Sequence, residues 1–556
     1  MSKEWRIWFA LVAALLVIYL PLQNPYWVPG GDSEFYTTVA RNLAQHHGFT
    51  YGGEQVGIVP PLWPLILAAA MRISSSFVFL KLLPMCSMLG SWFMFYWILR
   101  RFISPLYAAL VIVLSAVNSQ VVPLTFWLHS DGVFCLITTA TLLLALQINE
   151  GRAGILRIVI LIALCICAVC VRLAGVLGCV LVAGALLQGY PRRSFKLDRR
   201  IVAAFLVVAL TLGAFAIVRG KLASAVSQSQ KESFNDDTQS YDSAVRQAVH
   251  SRSHVSALAK VGKRVLNAGK WFSWFFWQPL RLGAAFPPLD LAAAALGWGL
   301  IFVYLAGLYR ALYYRGWFWV ALGLYCLPLC VFYPVVNARY LVPLAPLLLV
   351  AQLDGLAAIR SWRQGNFWRR AWRAAAVAFL LFIGLCNLPI YAVEVAVERS
   401  GDFYNTYDGG LDRDLIAAGQ FLVQRGVRDN EVVVSWRYDN LGRQRKSYFG
   451  ARVLSMLTGR RVEPDPTRGG PIVEPTEVIH AWCVEHGARY YVYQTPVSPW
   501  RLWHFRVPWL QRRLTGKDVP QDTAGWRIYE MLPNATPRRI LPPPSRDWPL
   551  RVPGMD

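Results

Sequence analysis

A chain of 556 residues that is 55% hydrophobic, 13% aromatic and only 16% charged belongs to the polytopic membrane class. Its net charge of +24 raises nucleic-acid binding, but the basic residues fall in clusters between apolar runs and no nucleic-acid-binding motif accompanies them, which excludes that class. Most of the ten cysteines lie inside apolar runs without partner His or Cys pairs, which argues against a zinc site and a disulfide framework alike.

Lys3 and Arg6 precede an apolar run that ends in Pro21-Leu22-Gln23-Asn24-Pro25 without a small-x-small cleavage pattern, so 5–22 reads as an uncleaved first span. A polar stretch, 23–77, follows. It opens on Gly30-Gly31-Asp32-Ser33-Glu34-Phe35-Tyr36 and continues into a helix expected over Phe35 to Gln45. The apolar run at 61–73 follows Pro60-Pro61, contains Pro64 and is too short to cross a bilayer, so it reads as a re-entrant or interfacial helix. Further spans are expected at 78–99, 105–124, 131–149, 155–173, 174–190, 201–218, 289–309, 317–334, 340–358 and 374–392.

Threading about eleven spans in order puts Lys3/Arg6, Arg100/Arg101, Arg152/Arg157, Arg192 to Arg200, Arg310/Arg315 and Arg360 to Arg373 on one side. By the positive-inside rule that side is the cytoplasm. Three polar stretches then lie outside: 23–77, 219–288 and the tail from 393 onward. The second of these starts polar, from Ser224 to Tyr241, and ends in the aromatic run Trp271 to Trp277, which suits an interfacial helix. In the tail a helix is expected over Asp414 to Arg425, a strand over Glu431 to Ser435, a helix over Val478 to Glu485, and strands over Ala488 to Gln494 and Trp526 to Met531. This alternation describes a small α/β domain, 393–556, behind a transmembrane module, 1–392. The final stretch, Pro537 to Asp556, is rich in Pro and Arg and reads as irregular.

Carboxylates at the edge of hydrocarbon usually mark a functional site. Asp32 and Glu34 are two apart and share a face if the backbone is extended. Such a pair could take a proton from an attacking hydroxyl or hold a divalent metal. The plainer alternative is a solvated cap on the following helix, and it suits Glu34 better than Asp32. Asp131 opens the fourth full span from the same outer side, within Trp127-Leu128-His129-Ser130-Asp131-Gly132. Arg172 and Arg339 lie at outer ends, against the positive-inside pattern. Phosphate oxygens fit a guanidinium fork; snorkelling to headgroups is the alternative.

These residues resemble a known group, the lipid-linked glycosyltransferases of the GT-C fold, which include protein O-mannosyltransferases and the bacterial aminoarabinose transferase of lipid A. The resemblance rests on Asp32-x-x-x-Tyr36 followed by Ala40-Arg41-Asn42-Leu43-Ala44, on Pro60-Pro61-Leu62-Trp63-Pro64, on Asp131, and on Arg339-Tyr340-Leu341-Val342-Pro343. It covers roughly residues 1–350.

The resemblance implies an enzyme of the bacterial cytoplasmic membrane that passes a sugar from a polyprenyl-phosphate carrier to an acceptor at the outer face, inverting the anomeric centre. Asp32 would be the base and Asp131 its catalytic partner. Arg172, Arg339 and Tyr340 would hold the donor phosphate, and Glu34, Tyr36 and Trp63 would contact substrate. Ser33 stands where many members have Glu, and Pro60 where the aminoarabinose transferase has Lys; the second departure argues against that donor. No metal or other cofactor is assigned, and the partners are the lipid-linked donor, membrane lipids and an acceptor.

The alternative from another class is a transporter or lipid flippase. Transporters carry repeats and polar groups near the midplane, whereas the charges here sit at outer ends. A catalytically dead relative whose tail recruits a partner is the third reading.

Overall fold

The computed structural model describes residues 3–28, 32–51, 54–56, 59–151, 154–188, 199–225, 287–314, 338–361, 366–399, 413–434, 477–494 and 526–533, with shorter pieces at 269, 273, 275–276, 318, 321–322, 324–325, 437–438, 444–445, 449–458, 460, 462–464, 537–540 and 555. Among these, six helices are long and apolar enough to cross a membrane: Glu4–Leu22, Phe77–Leu99, Asp131–Asn149, Ile201–Lys221, Leu341–Ala358 and Ala374–Ala396.

The chain begins with α1 (Lys3–Tyr19), then α2 (Ser33–Ala44), a small antiparallel pair β1 (Thr50–Tyr51) and β2 (Glu54–Gln55), and α3 (Leu62–Ile73). The bundle continues through α4 (Phe77–Leu99), α5 (Pro105–Ala116), α6 (Asp131–Asn149), α7 (Ile155–Val171), α8 (Gly178–Leu186) and α9 (Arg199–Ala225). It closes with α10 (Pro287–Tyr314), α11 (Ala345–Ser361) and α12 (Asn366–Glu398). The expected span 317–334 and the aromatic stretch 271–277 lie largely outside the described residues.

Among the described residues several expected spans are α-helical over only part of their apolar runs, and two of them show why. The 105–124 run stops being α-helical at Ala116, where the Asn118 side chain accepts the Gln120 amide at 2.9 Å and a 3-10 turn, Val122–Thr125, takes over. A short polar side chain that bonds nearby backbone competes with the helix in this way. The 155–173 run breaks at Arg172, whose backbone is extended, before the 3-10 segment Leu173–Leu177.

Side chains tie the two ends of the bundle separately. At one end Arg100 pairs with Glu4 and Arg101 with Glu150, joining α1, α4 and α6. At the other, Tyr19 donates to the Ala116 carbonyl at 3.3 Å and Tyr391 to the Ile18 carbonyl at 2.8 Å, joining α1, α5 and α12. The helices therefore alternate in direction. Asp32, Asp131 and Arg172 all belong to the end opposite Arg100 and Arg101.

The C-terminal part is a mixed five-stranded sheet of order β6-β3-β7-β8-β9, made of β3 (Val432–Val434), β6 (Glu463–Pro464), β7 (Tyr490–Gln494), β8 (Trp526–Glu530) and β9 (Arg538–Ile540); β4 (Arg437–Tyr438) and β5 (Gln444–Arg445) pair apart from it. β3 runs parallel to β6 and β7, and β8 and β9 run antiparallel to their neighbours. Three helices flank it: α13 (Arg413–Gln424), α14 (Phe449–Thr458) and α15 (Glu477–Glu485). Val432, Val433 and Val434 are all buried, as a strand covered on both faces requires. Val433 and Tyr491 pack with Ile479 and Cys483 of α15, while Val432, Val434 and Val492 join the core containing Leu415 and Leu454 of α13 and α14.

The expected helices and strands of the tail are present, with two corrections. Residues 449–458 form a helix that had not been anticipated. Arg538–Ile540 is a strand rather than irregular chain, because Ile528↔Ile540 and Glu530↔Arg538 pairing supplies its hydrogen bonds from β8.

Candidate active site

The helix that follows the first span, α2, carries the acidic segment. Asp32 stands at its N-terminus with φ −98° and ψ −2°, and its carbonyl accepts the Tyr36 amide at 3.0 Å. Its carboxylate makes no capping bond to the helix, so the capping alternative is not what this side chain does. Glu34, within the first turn, is 0% exposed. That corrects the expectation of a solvated cap: the Glu34 carboxylate is inside the protein.

Tyr36 lies one turn beyond Asp32 on the same helical face, since residues four apart are neighbours. Its hydroxyl is 3.3 Å from Ser130 Oγ, a buried contact. Ser130 in turn receives Arg172 Nη1 at 3.4 Å, and the same Nη1 donates to Asp131 Oδ1 in an ion pair. The chain Tyr36–Ser130–Arg172–Asp131 thus joins α2, the start of α6 and the end of α7. Ser130 was missed in the sequence; a hydroxyl beside a candidate carboxylate was the only signal.

Local structure explains each position. Asp131 is the first residue of α6, where the helix dipole favours a negative charge. Gly132 follows because α6 presses on α4 there: a Cβ on Gly132 would sit 2.9 Å from the Pro84 carbonyl oxygen. Arg172 reaches Asp131 because α7 stops just before it, with the Arg172 amide donating to Ala168 at 2.9 Å and the Arg172 carbonyl accepting Gly175 N–H at 2.8 Å. The Asp131 side chain is 4% exposed and that of Arg172 is 10%. His129 Nδ1 stands 3.8 Å from Asp131 Oδ2, and its ring packs edge-on to Trp127.

Trp63 is fully buried and donates its indole N–H to the Leu128 carbonyl at 3.2 Å. It braces the segment leading into Asp131. Arg339 and Tyr340 fall in the 3-10 segment Ala338–Leu344, and their side chains lie outside the described residues.

The arrangement can do two things chemically. Asp32 offers a carboxylate on a helix whose next turn is tied to the cluster. Arg172 offers an oriented guanidinium, whose Nη1 donates to both Asp131 and Ser130. A carboxylate partner fixes such a fork without neutralising its capacity to meet a second anion. Among the described residues, no group of three or more His, Cys, Asp or Glu side chains converges to hold a metal ion.

No protein-family model and no curated protein matches the chain by sequence. Solved structures do match. The oligosaccharyltransferase AglB of Archaeoglobus fulgidus, in complex with an inhibitory peptide and a dolichol-phosphate, superposes with a TM-score of 0.51 at 14% identity, over 89% of this chain and 70% of that one. The same archaeal enzyme with Zn and sulfate gives 0.51 at 14% identity, over 87% and 68%. ArnT of Cupriavidus metallidurans bound to undecaprenyl phosphate gives 0.48 at 16% identity, over 93% and 96%. The similarity to the archaeal structures is one of fold: the chain shares their helical GT-C architecture, the fold the resemblance implied, and its C-terminal α/β part is the one the patterning of the tail implied.

Proposed function

We propose that this membrane protein is a glycosyltransferase that moves a sugar from a polyprenyl-phosphate carrier to an acceptor hydroxyl on a lipid, glycan or protein. The observation that carries the reading is the placement of a carboxylate and an anchored guanidinium together at one end of a GT-C bundle. The dolichol-phosphate in the archaeal structure agrees with a lipid-phosphate ligand for this fold.

In the scheme, Asp32 takes the proton of the acceptor hydroxyl as its oxygen attacks the anomeric carbon. The bond from that carbon to the phosphate oxygen breaks on the opposite face, so the centre inverts and the electron pair leaves with the polyprenyl phosphate. The phosphate gains one negative charge in this step, and Arg172 stands ready to meet it, held by Asp131 and Ser130; preorganised charge of this kind is often the largest catalytic term. Arg339 and Tyr340 are assigned to the same phosphate by resemblance. Asp131 then acts through Arg172. No metal or other cofactor is written into the scheme.

The test is mass analysis of glycolipids and envelope glycans from cells with and without the gene, which names donor and acceptor. In those cells Asp32→Asn should lower product by about 10²-fold or more, the scale of a lost general base, with the amount of protein unchanged. Full product formation would end the assignment of Asp32. A transporter would instead redistribute a glycolipid across the membrane without changing its mass.

The same reading puts the protein in the bacterial cytoplasmic membrane, with the N-terminus inside, the transmembrane module over 1–392 and the α/β domain, 393–556, outside. The basic clusters at one end of the spans support that orientation. A reporter fused after Asp556 should then read the outer compartment, and a cytoplasmic signal there would reverse every side assignment.

A further inference from the structure

An outer-loop helix is ordinarily buried on one face and wet on the other. In α2 that division is missing: Ser33, Glu34, Phe35, Tyr36, Thr37, Thr38, Val39, Ala40, Arg41 and Ala44 are all buried. Something must cover it on more than one side. Its covers include α3, the β1–β2 segment and α14 of the C-terminal part.

Arg41 makes the contact with α14 specific. It is 4% exposed, and its guanidinium donates from Nη1 to the Met456 carbonyl at 2.8 Å and from Nη2 to the Ser455 carbonyl at 3.4 Å. These carbonyls belong to the last turn of α14, whose final four have no acceptor role inside the helix and carry the negative end of its dipole. Thr458 Oγ1 caps the preceding carbonyl, Leu454, at 2.8 Å. Arg41 therefore completes the C-terminus of α14 from another part of the chain. Burial pushes its guanidinium down to about 10, which leaves it charged at neutral pH.

The contact is stiff behind α14 and points at the site in front of α2. α14 packs against α13 so closely that a Cβ on Gly419 would lie 2.5 Å from Leu457 Cδ1, and α14 also touches β3. Tyr36 and Arg41 are five residues apart, so they project about 140° from each other around α2. One faces Ser130 and the Asp131–Arg172 pair, the other faces α14.

We propose that the C-terminal α/β part is a working component of the candidate active site: by receiving Arg41 on the last turn of α14 it sets the position of α2, and with it Asp32. Arg41 is then a positioning residue, touching no substrate. The catalytic half of this inference rests on the assignment of Asp32 as the base.

The experiment uses the full chain, purified in nanodiscs, as Arg41→Ala, Arg41→Gln and Arg41→Lys. Hydrogen exchange of α2 amides, 33–44, should speed up about tenfold in Arg41→Ala, the scale of losing a hydrogen bond from a buried charged group, while α6 amides, 131–149, stay as in the wild type. Arg41→Lys and Arg41→Gln should fall between, and they stand in if the alanine variant does not fold. Faster exchange confined to 449–458, with α2 unchanged, would reduce Arg41 to a cap on α14 and overturn the proposal.

Transfer measured on the donor named by the mass analysis should show kcat lowered about tenfold, by the same loss, with donor KM within about twofold. Unchanged kcat, or a rise in KM alone, would overturn the positioning role. Retained transfer in Asp32→Asn would sink the base assignment separately, and the exchange result on α2 would still stand or fall by itself.

Discussion

Arg172 with Asp131 and Lys81 with Glu398 are both buried pairings of opposite charge at the same end of the bundle, yet they are built differently. Lys81 is 0% exposed; its Nζ donates to Asn24 Oδ1 at 2.5 Å, and Asn24 Nδ2 donates to Glu398 Oε2 at 2.6 Å and to the Glu398 carbonyl at 3.1 Å. One amide thus bridges the two charges, and the three residues clip together the ends of α1, α4 and α12. The Phe126 ring closes over the ammonium at 5.9 Å. Arg172, by contrast, sits at a helix break, keeps some exposure, and shares its contacts with a serine that also touches α2. A charge in a sealed clip holds elements together. A charge at a break, with a fork of donors and an opening, can also meet a ligand.

The comparison can be broken most decisively at Lys81. Lys81→Met leaves the Glu398 carboxyl buried without its cation and should cost about 3–5 kcal/mol, whereas adding Glu398→Gln should recover most of that loss, because removing both members of a buried pair is far milder than removing one. Thermal unfolding of both variants in nanodiscs checks it. If the proposed function holds, the surviving protein should keep the wild-type affinity for a polyprenyl phosphate; weakened binding would move Lys81 into the site.

Arg172→Ala should lower transfer by about 10²–10³-fold, the range for losing one preorganised donor, with a smaller loss of stability than Lys81→Met. Arg172→Lys should recover only part of the transfer, since an ammonium cannot reproduce the fork. Equal transfer in the wild type and Arg172→Ala would return this arginine to a purely structural role, like that of Lys81. The smallest effect belongs to Gly132→Ala. Its new methyl meets the Pro84 backbone, so α6 must shift at a cost of about 1–3 kcal/mol, and transfer should slow because Asp131 moves with it. A variant as stable and as fast as the wild type would mean that the close approach of α6 to α4 does not set the site.

Much of this frame was legible because the signals are local. Apolar runs located the helices at 77–99, 131–149 and 374–396, and period-two and helical patterns located α13, β3, α15, β7 and β8. Of the residues that come together, Asp131 and Arg172 were expected from their position as charges at the ends of spans, and Tyr36 through the family resemblance. What stayed hidden depends on partners far along the chain. Lys81 was readable as a lone cation in an apolar run, but nothing in the sequence pairs it with Asn24 and Glu398. The strand Arg538–Ile540 exists through its pairing with β8, and its own composition argues for loop. Burial of Glu34 and Trp63 follows from the packing of α2, α3 and the Leu128 segment, which periodicity in any one of them does not reveal.

The reach of Arg41 also has a meaning in time. Its partner carbonyl on Met456 lies 415 residues further along. At the usual pace of synthesis, about 5–20 residues per second, roughly 20–80 s separate the emergence of the two. Asp32 is therefore made well before the contact that, on the positioning proposal, seats its helix. A chain halted before α14 carries the carboxylate without the Arg41–Met456 contact.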